Sequence, residues 1–162
     1  MQTLIVYYSR TNTTKELAGK LQENFTADIL QIEDQKKREG FLYLLKASFD
    51  ALTANVTLIN QFSHNLEEYD LVLVGSPIWA ASITPAIRTF LLGNSEVLPR
   101  LAFFVTHAGG GSGRSKKQFK KIAGQEPLAF LSVKDDEVKK DDESFKNKLA
   151  EFEREIITNF KS

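Results

Sequence analysis

The stretch TLIVYYSRTNTTKELAGKLQENF, residues 3–25, decides the fold. It opens with a nearly continuous apolar run, Thr3 to Tyr8, rich in β-branched and aromatic residues. Runs of this length and character suit a strand buried on both faces, as in a parallel sheet. The run stops abruptly in polar residues, with hydroxyl or amide side chains at Ser9, Thr11, Asn12 and Thr13. The pattern then changes period. TTKELAGKLQENF places Leu17, Ala18, Leu21 and Phe25 on one face of a helix. Strand, polar loop and amphipathic helix follow one another with no spacer.

The same alternation recurs along the chain. DLVLVGS (Asp70 to Ser76) and LAFFVTH (Leu101 to His107) read as two more buried strands, and ADILQIE (Ala27 to Glu33) and PLAFLSV (Pro127 to Val133) as weaker ones. Helical patterns lie between them. KKREGFLYLLKASFDALT (36–53) aligns Phe41, Leu42, Leu45, Phe49 and Leu52. TPAIRTFLLG (84–93) has Pro85 in its first turn and Gly93 at its expected end. SKKQFKKIAG (115–124) is short and basic, and ESFKNKLAEFEREIITNF (143–160) aligns Phe145, Leu149, Phe152 and Ile156. Five strands alternating with five helices predict one α/β domain over residues 1–162, a doubly wound three-layer parallel sheet of order 2-1-3-4-5 with right-handed crossovers. The segment from Ala54 to Glu68 reads as a loop with a short strand at VTLI, and KDDEVKKDDE (134–143) as a solvated mixed-charge loop.

Composition narrows the function. The 162 residues include 21 Lys+Arg and 21 Asp+Glu, so the formal charge is zero. That balance gives no electrostatic case for nucleic acid or an anionic membrane as partner. There is no cysteine, which excludes disulfides, thiolate zinc sites, thiol catalysis and Fe–S clusters. Redox chemistry would need a bound organic cofactor. The two histidines, His64 and His107, lie far apart without carboxylates at ligand spacing, so no metal site is expected. His64 reads as an exposed loop residue. The opening MQTLIVYYSR lacks a basic n-region and its apolar run is too short for a signal or a membrane span. A soluble cytoplasmic protein is the expectation.

In a doubly wound sheet the ligand sits beyond the carboxyl ends of the strands, at the switch point. Three segments should meet there: SRTNTT, SPIWAAS and THAGGGSGR. In the first, Thr13 and Glu16 have capping-box spacing, yet the hydroxyls begin at Ser9, before a helix can start. The loop enters a helix N-terminus, where free N–H groups and the dipole favour an anion. Neither the P-loop pattern nor GxGxxG is present. Hydroxyls with backbone amides suit one terminal monophosphate. A phospho-receiver domain shares the strand order but needs acids where this chain has Ser-Arg-Thr and Gly-Ser-Pro. The second segment holds the only tryptophan, Trp79, among small residues that let a planar ring approach and stack. The third has glycines at 109, 110, 111 and 113, which allow the backbone close to a ligand. His107 is the candidate proton donor or substrate contact. A second anion is a further option at Gly113 and Ser115, favoured by Arg114, Lys116 and Lys117; the plainer reading of these cations is a solvated basic face. Ser76 lacks the GxSxG elbow of a nucleophile.

With all three segments in order, the chain resembles the flavodoxin-like FMN-binding family, which includes flavodoxins and related NAD(P)H:quinone and flavin reductases. SRTNTT is similar to the family's phosphate loop, GSPIWAASITPAIRTFL to its second flavin loop and following helix, and THAGGGSGR to its third. The resemblance implies that Ser9, Arg10, Thr11, Asn12, Thr13 and Thr14 cradle the phosphate. It implies that Ser76, Pro77, Ile78 and Trp79 border the flavin ring, and that Thr106, His107, Gly109, Gly110 and Gly111 line its other side. Asn12 stands where the family has glycine, and asparagine is the residue most tolerant of the left-handed conformation after glycine. The third loop lacks the aromatic that covers the flavin in the electron carriers, and the chain is neutral where those carriers are acidic. These departures imply an oxidoreductase taking electrons from NAD(P)H through FMN to a quinone or similar small-molecule acceptor. The alternatives are a one-electron shuttle between redox proteins and a fold that binds phosphate without redox chemistry. Related quinone reductases are often oligomers with the active site near an interface, so a homo-oligomer is among the expected states.

Overall fold

The computed structural model describes residues 1–35 and 56–162. The helix expected over 36–53 lies outside the described residues. Strand β1 (Thr3–Tyr7) leads through the polar loop into α1 (Thr13–Phe25), and β2 (Asp28–Gln31) follows. After the loop at 56–65 and a 3-10 turn at Leu66–Glu68 come β3 (Leu71–Trp79), β4 (Ser82–Ile83) and α2 (Pro85–Asn94). Strand β5 (Arg100–His107), α3 (Ser112–Ala123), β6 (Phe130–Lys134), α4 (Asp135–Lys140) and α5 (Glu143–Lys161) complete the chain.

The sheet order is β2-β1-β3-β5-β6, all parallel, with β4 paired antiparallel to β3 at its far end. Leaving the short β4 aside, this is the expected 2-1-3-4-5 order. The central strands β1, β3 and β5 are buried on both faces because their side chains alternate between two cores. Ile5, Tyr7 and Phe104 join α1, α4 and α5 on one face; Leu4, Val6 and Phe103 join α2 and α3 on the other. On α5, Phe145, Leu149, Phe152 and Ile156 are all buried. Each contributes roughly 1.5–3 kcal/mol of transfer free energy. On the second face Phe103 stacks on Phe119 with centroids 4.1 Å apart.

Several elements differ from the sequence expectation. The strand DLVLVGS does not stop at Ser76; β3 runs on to Trp79 and turns back as a hairpin. At VTLI only an isolated bridge forms, Ile59 to Asp34. The segment 134–143 is not a loop throughout but contains α4. Its acids Asp135, Asp136 and Glu137 fall in the first turn and Lys139 and Lys140 in the last, which complements the helix dipole. The Lys134 amide donates to Glu137 Oε2 at 2.8 Å, and Val138 anchors the helix in the core. Gly93 falls inside the last turn of α2, and the Asn94 side chain donates to the Phe90 carbonyl at 2.7 Å. Helix α3 starts three residues earlier than expected, at Ser112. That places Ser115 inside the helix, fully buried, its hydroxyl donating to the Ser112 carbonyl at 2.8 Å. The anion position considered at Ser115 is therefore closed. His64 is half-buried rather than exposed, with its Nδ1 shielded.

Candidate functional site

Three loops meet at the carboxyl edge of β1, β3 and β5. The register aligns Tyr7 with Gly75 and Pro77 with Thr106, so the strands end side by side. Gly75 is the position that lets them pack: a Cβ there would lie 2.2 Å from the Phe104 ring.

The first loop does not close with a capping box. The N-cap of α1 is Asn12, in the left-handed region at φ 68°, and no side chain caps the helix there. The expected Thr13–Glu16 box is thus replaced by a backbone turn in which the Glu16 amide donates to the Asn12 carbonyl at 2.8 Å. The physical reason is the direction of the chain: at positive φ residue 12 turns the peptide into the helix, and Thr13 becomes its first residue instead of its cap. Ser9 Oγ accepts from the Lys15 amide at 3.3 Å, drawing the loop back over the first turn. Thr13 and Thr14 are buried and Thr11 and Asn12 exposed. Arg10 is half-buried.

The hydroxyl of Thr14 has a different use. It lies 2.8 Å from Thr106 Oγ1, and both side chains are buried. Thr106 projects to the same face as Phe104, two residues earlier. This hydrogen bond therefore fixes the first turn of α1 to the end of β5 across β3.

The second loop is a hairpin. Ile78 pairs with Ile83 and Trp79 with Ser82, leaving Ala80 and Ala81 as the turn, with φ of 47° and 58°. Two-residue hairpins of type I′ need positive φ at both central positions and normally use Asn-Gly, Asp-Gly or Gly-Gly. Alanine in this region costs about 1–2 kcal/mol per residue, so the surroundings must hold the turn. They do so at three points. Ser76 is fully buried, and its hydroxyl accepts from the Thr84 amide at 3.1 Å and lies 3.2 Å from Thr84 Oγ1. Gln118 of α3 accepts from the Ile83 amide at 3.2 Å and donates to Ser82 Oγ at 3.0 Å. Gly111 packs directly on the turn. Trp79 is half-buried and makes a T-shaped contact with Tyr8 at 5.6 Å, joining the hairpin to the first loop.

The third loop runs from Thr106 to Gly111. Gly109 and Gly110 are exposed, and Gly111, the N-cap of α3, has φ 90°. A Cβ at Gly111 would come 2.7 Å from Ala81 Cα and 3.3 Å from Ile78 Cγ2. Beside the loop, His107 is half-buried with Nε2 3.0 Å from Ser132 Oγ, while its buried Nδ1 has no hydrogen-bond partner.

The structure thus brings Ser9 through Thr14, Ser76 through Trp79 and Thr106 through Gly111 to one edge. Thr84, Gln118 and Ser132, which hold the hairpin and the histidine, escaped the sequence reading. No local pattern marks them, because their partners lie 8 to 36 residues away.

Loops converging at the switch point of a doubly wound parallel sheet define an α/β protein of the class that binds ligands beyond the carboxyl ends of its strands. Residues 2–142 match the family model described as Flavodoxin, and the chain belongs to that family. It is similar to a flavoprotein in complex with FMN from Lactobacillus acidophilus NCFM, at 25% identity and a TM-score of 0.72, over 86% of this chain and 97% of that one. It shares its fold with a WrbA-like flavodoxin from Agrobacterium tumefaciens, at 17% identity and a TM-score of 0.52, over 76% of this chain and 72% of that one. It also shares its fold with the apo form of an NADH:FMN oxidoreductase, at 14% identity and a TM-score of 0.55, over 99% of this chain and 89% of that one. No curated protein matches the chain.

Proposed function

We propose that the chain binds FMN at this edge and acts as an oxidoreductase, passing electrons from NAD(P)H to a quinone or similar small acceptor. One observation carries the reading: α1 begins at a left-handed Asn12 whose side chain does not cap it, on the edge where Tyr8 meets Trp79 and Thr14 meets Thr106. The first-turn amides, of which Ser9 Oγ takes that of Lys15, and the positive end of the helix suit a dianionic phosphate. The residues fit the group. Asn12 adopts the backbone conformation that glycine supplies in the family loop. Gly111 has a close-packed site with no room for a side chain.

Bound FMN would supply the electron and hydride exchange. The protein's part is positioning. The first turn of α1 would hold the phosphate, and the Thr14–Thr106 bond keeps that turn in place. The hairpin would present Pro77, Ile78 and Trp79 to the ring from one side, and the third loop its backbone from the other. His107, oriented through Ser132, is the side chain that would hold or move a proton, at its unpartnered Nδ1. The absence of an aromatic in the third loop leaves one side of the ring for substrate. A cytoplasmic location accords with this reading, and no helix among the described residues is long and apolar enough to cross a membrane.

The test is the absorption spectrum of the protein as purified and after incubation with FMN. Expected are a flavin spectrum and quenching of Trp79 fluorescence as FMN binds. A protein that stays colourless and leaves Trp79 unquenched refutes the proposal. Oxidation of NAD(P)H with a quinone then checks the electron path, and no turnover with either dinucleotide rejects that part.

A further inference from the structure

We infer that Arg88 of α2 is the counter-charge for reduced FMN, a buried guanidinium without a partner in the protein whose field favours the ring once it carries a negative charge. The inference rests on the FMN reading and names the residue that sets the balance between the two oxidation states at that site.

Arg88 is the only charged residue from Leu71 to Ser95, the span that holds β3, the hairpin and α2. It is 5% exposed. Its Nε and Nη2 are both buried, and neither has a hydrogen-bond partner. These two nitrogens form an edge of the guanidinium that can receive a carboxylate through two parallel bonds. Among the described residues no carboxylate lies within ion-pair distance of it, and no aromatic ring lies within cation–π reach. Its neighbours at i±3 and i±4 are Pro85, Leu91, Thr84 and Leu92, so its own helix offers it no acid. Burial pushes the guanidinium pKa below its ordinary value, yet arginine stays charged in proteins. A buried charge without a partner costs stability. Nothing in the described chain answers this one, which leaves its counter-ion to come from what the protein binds.

The position of Arg88 ties the charge to the crevice. Helix α2 starts where the hairpin ends: Ile83 pairs with Ile78, and the Thr84 amide donates to Ser76 Oγ at 3.1 Å. The Arg88 amide donates to the Thr84 carbonyl at 3.0 Å, so the two residues lie about 6 Å apart along the axis. Helical Cα–Cβ bonds tilt toward the N-terminus, and long side chains lean over the preceding turn. The guanidinium therefore lies on the carboxyl-edge side of its own Cα, toward the segment Ser76 to Trp79 that would border the ring.

The phosphate has the first turn of α1. The second loop has no formal charge except Arg88, and this matches a ring whose charge changes. Oxidised FMN has a neutral ring; uptake of two electrons and one proton leaves it with one negative charge. At an effective dielectric of about 20, unit charges ~10 Å apart change an equilibrium about tenfold, and salt screens a buried charge little. The neutral ring gains much less, so the field acts on the difference between the two forms.

The experiment measures FMN affinity by Trp79 quenching, and the two-electron potential of bound and free FMN by titration with dithionite, which is oxidised to sulfite. The difference between bound and free potentials gives the ratio of reduced to oxidised affinity. R88M and R88Q should lower that ratio about tenfold, or about 30 mV for a two-electron couple. R88K, which keeps the charge, should stay within about threefold of the parent. Affinity for oxidised FMN should change by less than about threefold in all of them. Urea unfolding of the apo proteins gives a readout free of cofactor: R88M should be as stable as the parent or more so. If R88M does not fold, R88Q carries the same comparison. An unchanged ratio in the charge-removing variants overturns the inference. So does an equal fall in R88K, or a loss of apo stability in both R88M and R88Q with the ratio kept, which would assign Arg88 to packing. Failure of the parent to bind FMN refutes the cofactor reading and this inference with it; binding with an unchanged ratio refutes this inference alone.

Discussion

Replacing Gly111 by alanine tests how tightly the third loop is locked to the hairpin. Two costs add at this residue. Its φ of 90° lies in the region where an L side chain is strained, at about 1–2 kcal/mol. The new methyl would also lie 2.7 Å from Ala81 Cα and 2.9 Å from Ala81 Cβ. Those atoms belong to a turn already held at positive φ, so the neighbour that must yield is backbone. Overpacking of this kind costs roughly 1–3 kcal/mol. Together Gly111→Ala should lose about 2–5 kcal/mol, or lower the Tm by roughly 4–20 °C for a domain of this size. Gly109→Ala is the control: nothing lies within 4 Å of a Cβ there, and the change should stay within about 0.5 kcal/mol. The assay is urea unfolding of both variants beside the parent, with FMN titration of each. If the loop retreats to relieve the contact, the cost appears as weaker FMN binding instead of lost stability. Gly111→Ala with parental stability and parental FMN affinity would refute the argued coupling of loop to hairpin.

Three further outcomes are expected. Thr14→Val strands a buried hydroxyl on Thr106 and should cost about 1–3 kcal/mol, and Thr14→Val with Thr106→Val together should recover part of it, since both partners become apolar; a double-mutant cycle in denaturant reads the coupling. Asn12→Gly should leave stability equal or up to about 1 kcal/mol higher and keep FMN affinity, whereas Asn12→Val should lose about 1 kcal/mol or more at the same φ, as calorimetry and flavin titration can show. The Glu137 carboxyl is held below its usual range by the Lys148 ammonium and the Lys134 amide. A depressed carboxylate stabilises the fold above its unfolded pKa, and that contribution is lost as pH falls through the folded value. Glu137→Gln should therefore cost about 1 kcal/mol at pH 7, and its stability curve should converge on the parent's below pH ~4.

The cations of α3 and the hydroxyls of the first loop show how far local chemistry can mislead as well as inform. Thr13 with Glu16 has the spacing of a capping box, but the cap is Asn12 in a left-handed turn. The same residue type that made Asn12 an expected departure from the family loop is what allows that turn. Ser115 looked available at a helix start, but the helix begins at Ser112 and buries it. In KDDEVKKDDE the charge order that suits a helix dipole was present, and Val138 alone carries the burial that makes it a helix.

What the sequence determined by itself was the succession of buried strands and amphipathic helices, the strand order and the edge where the loops meet. Those follow from hydrophobic period and segment length, which are local properties. The hairpin at Trp79–Ser82 was decided only by tertiary structure. Ala-Ala is no turn signal, and its positive φ persists because Ser76, Gln118 and Gly111 hold it from three different elements. The same holds for the Thr14–Thr106 bond, which joins residues 92 positions apart. Contacts of that span leave no periodicity to read. They exist once the sheet has closed, and at this edge they set the positions of the side chains and loops that would meet the ligand.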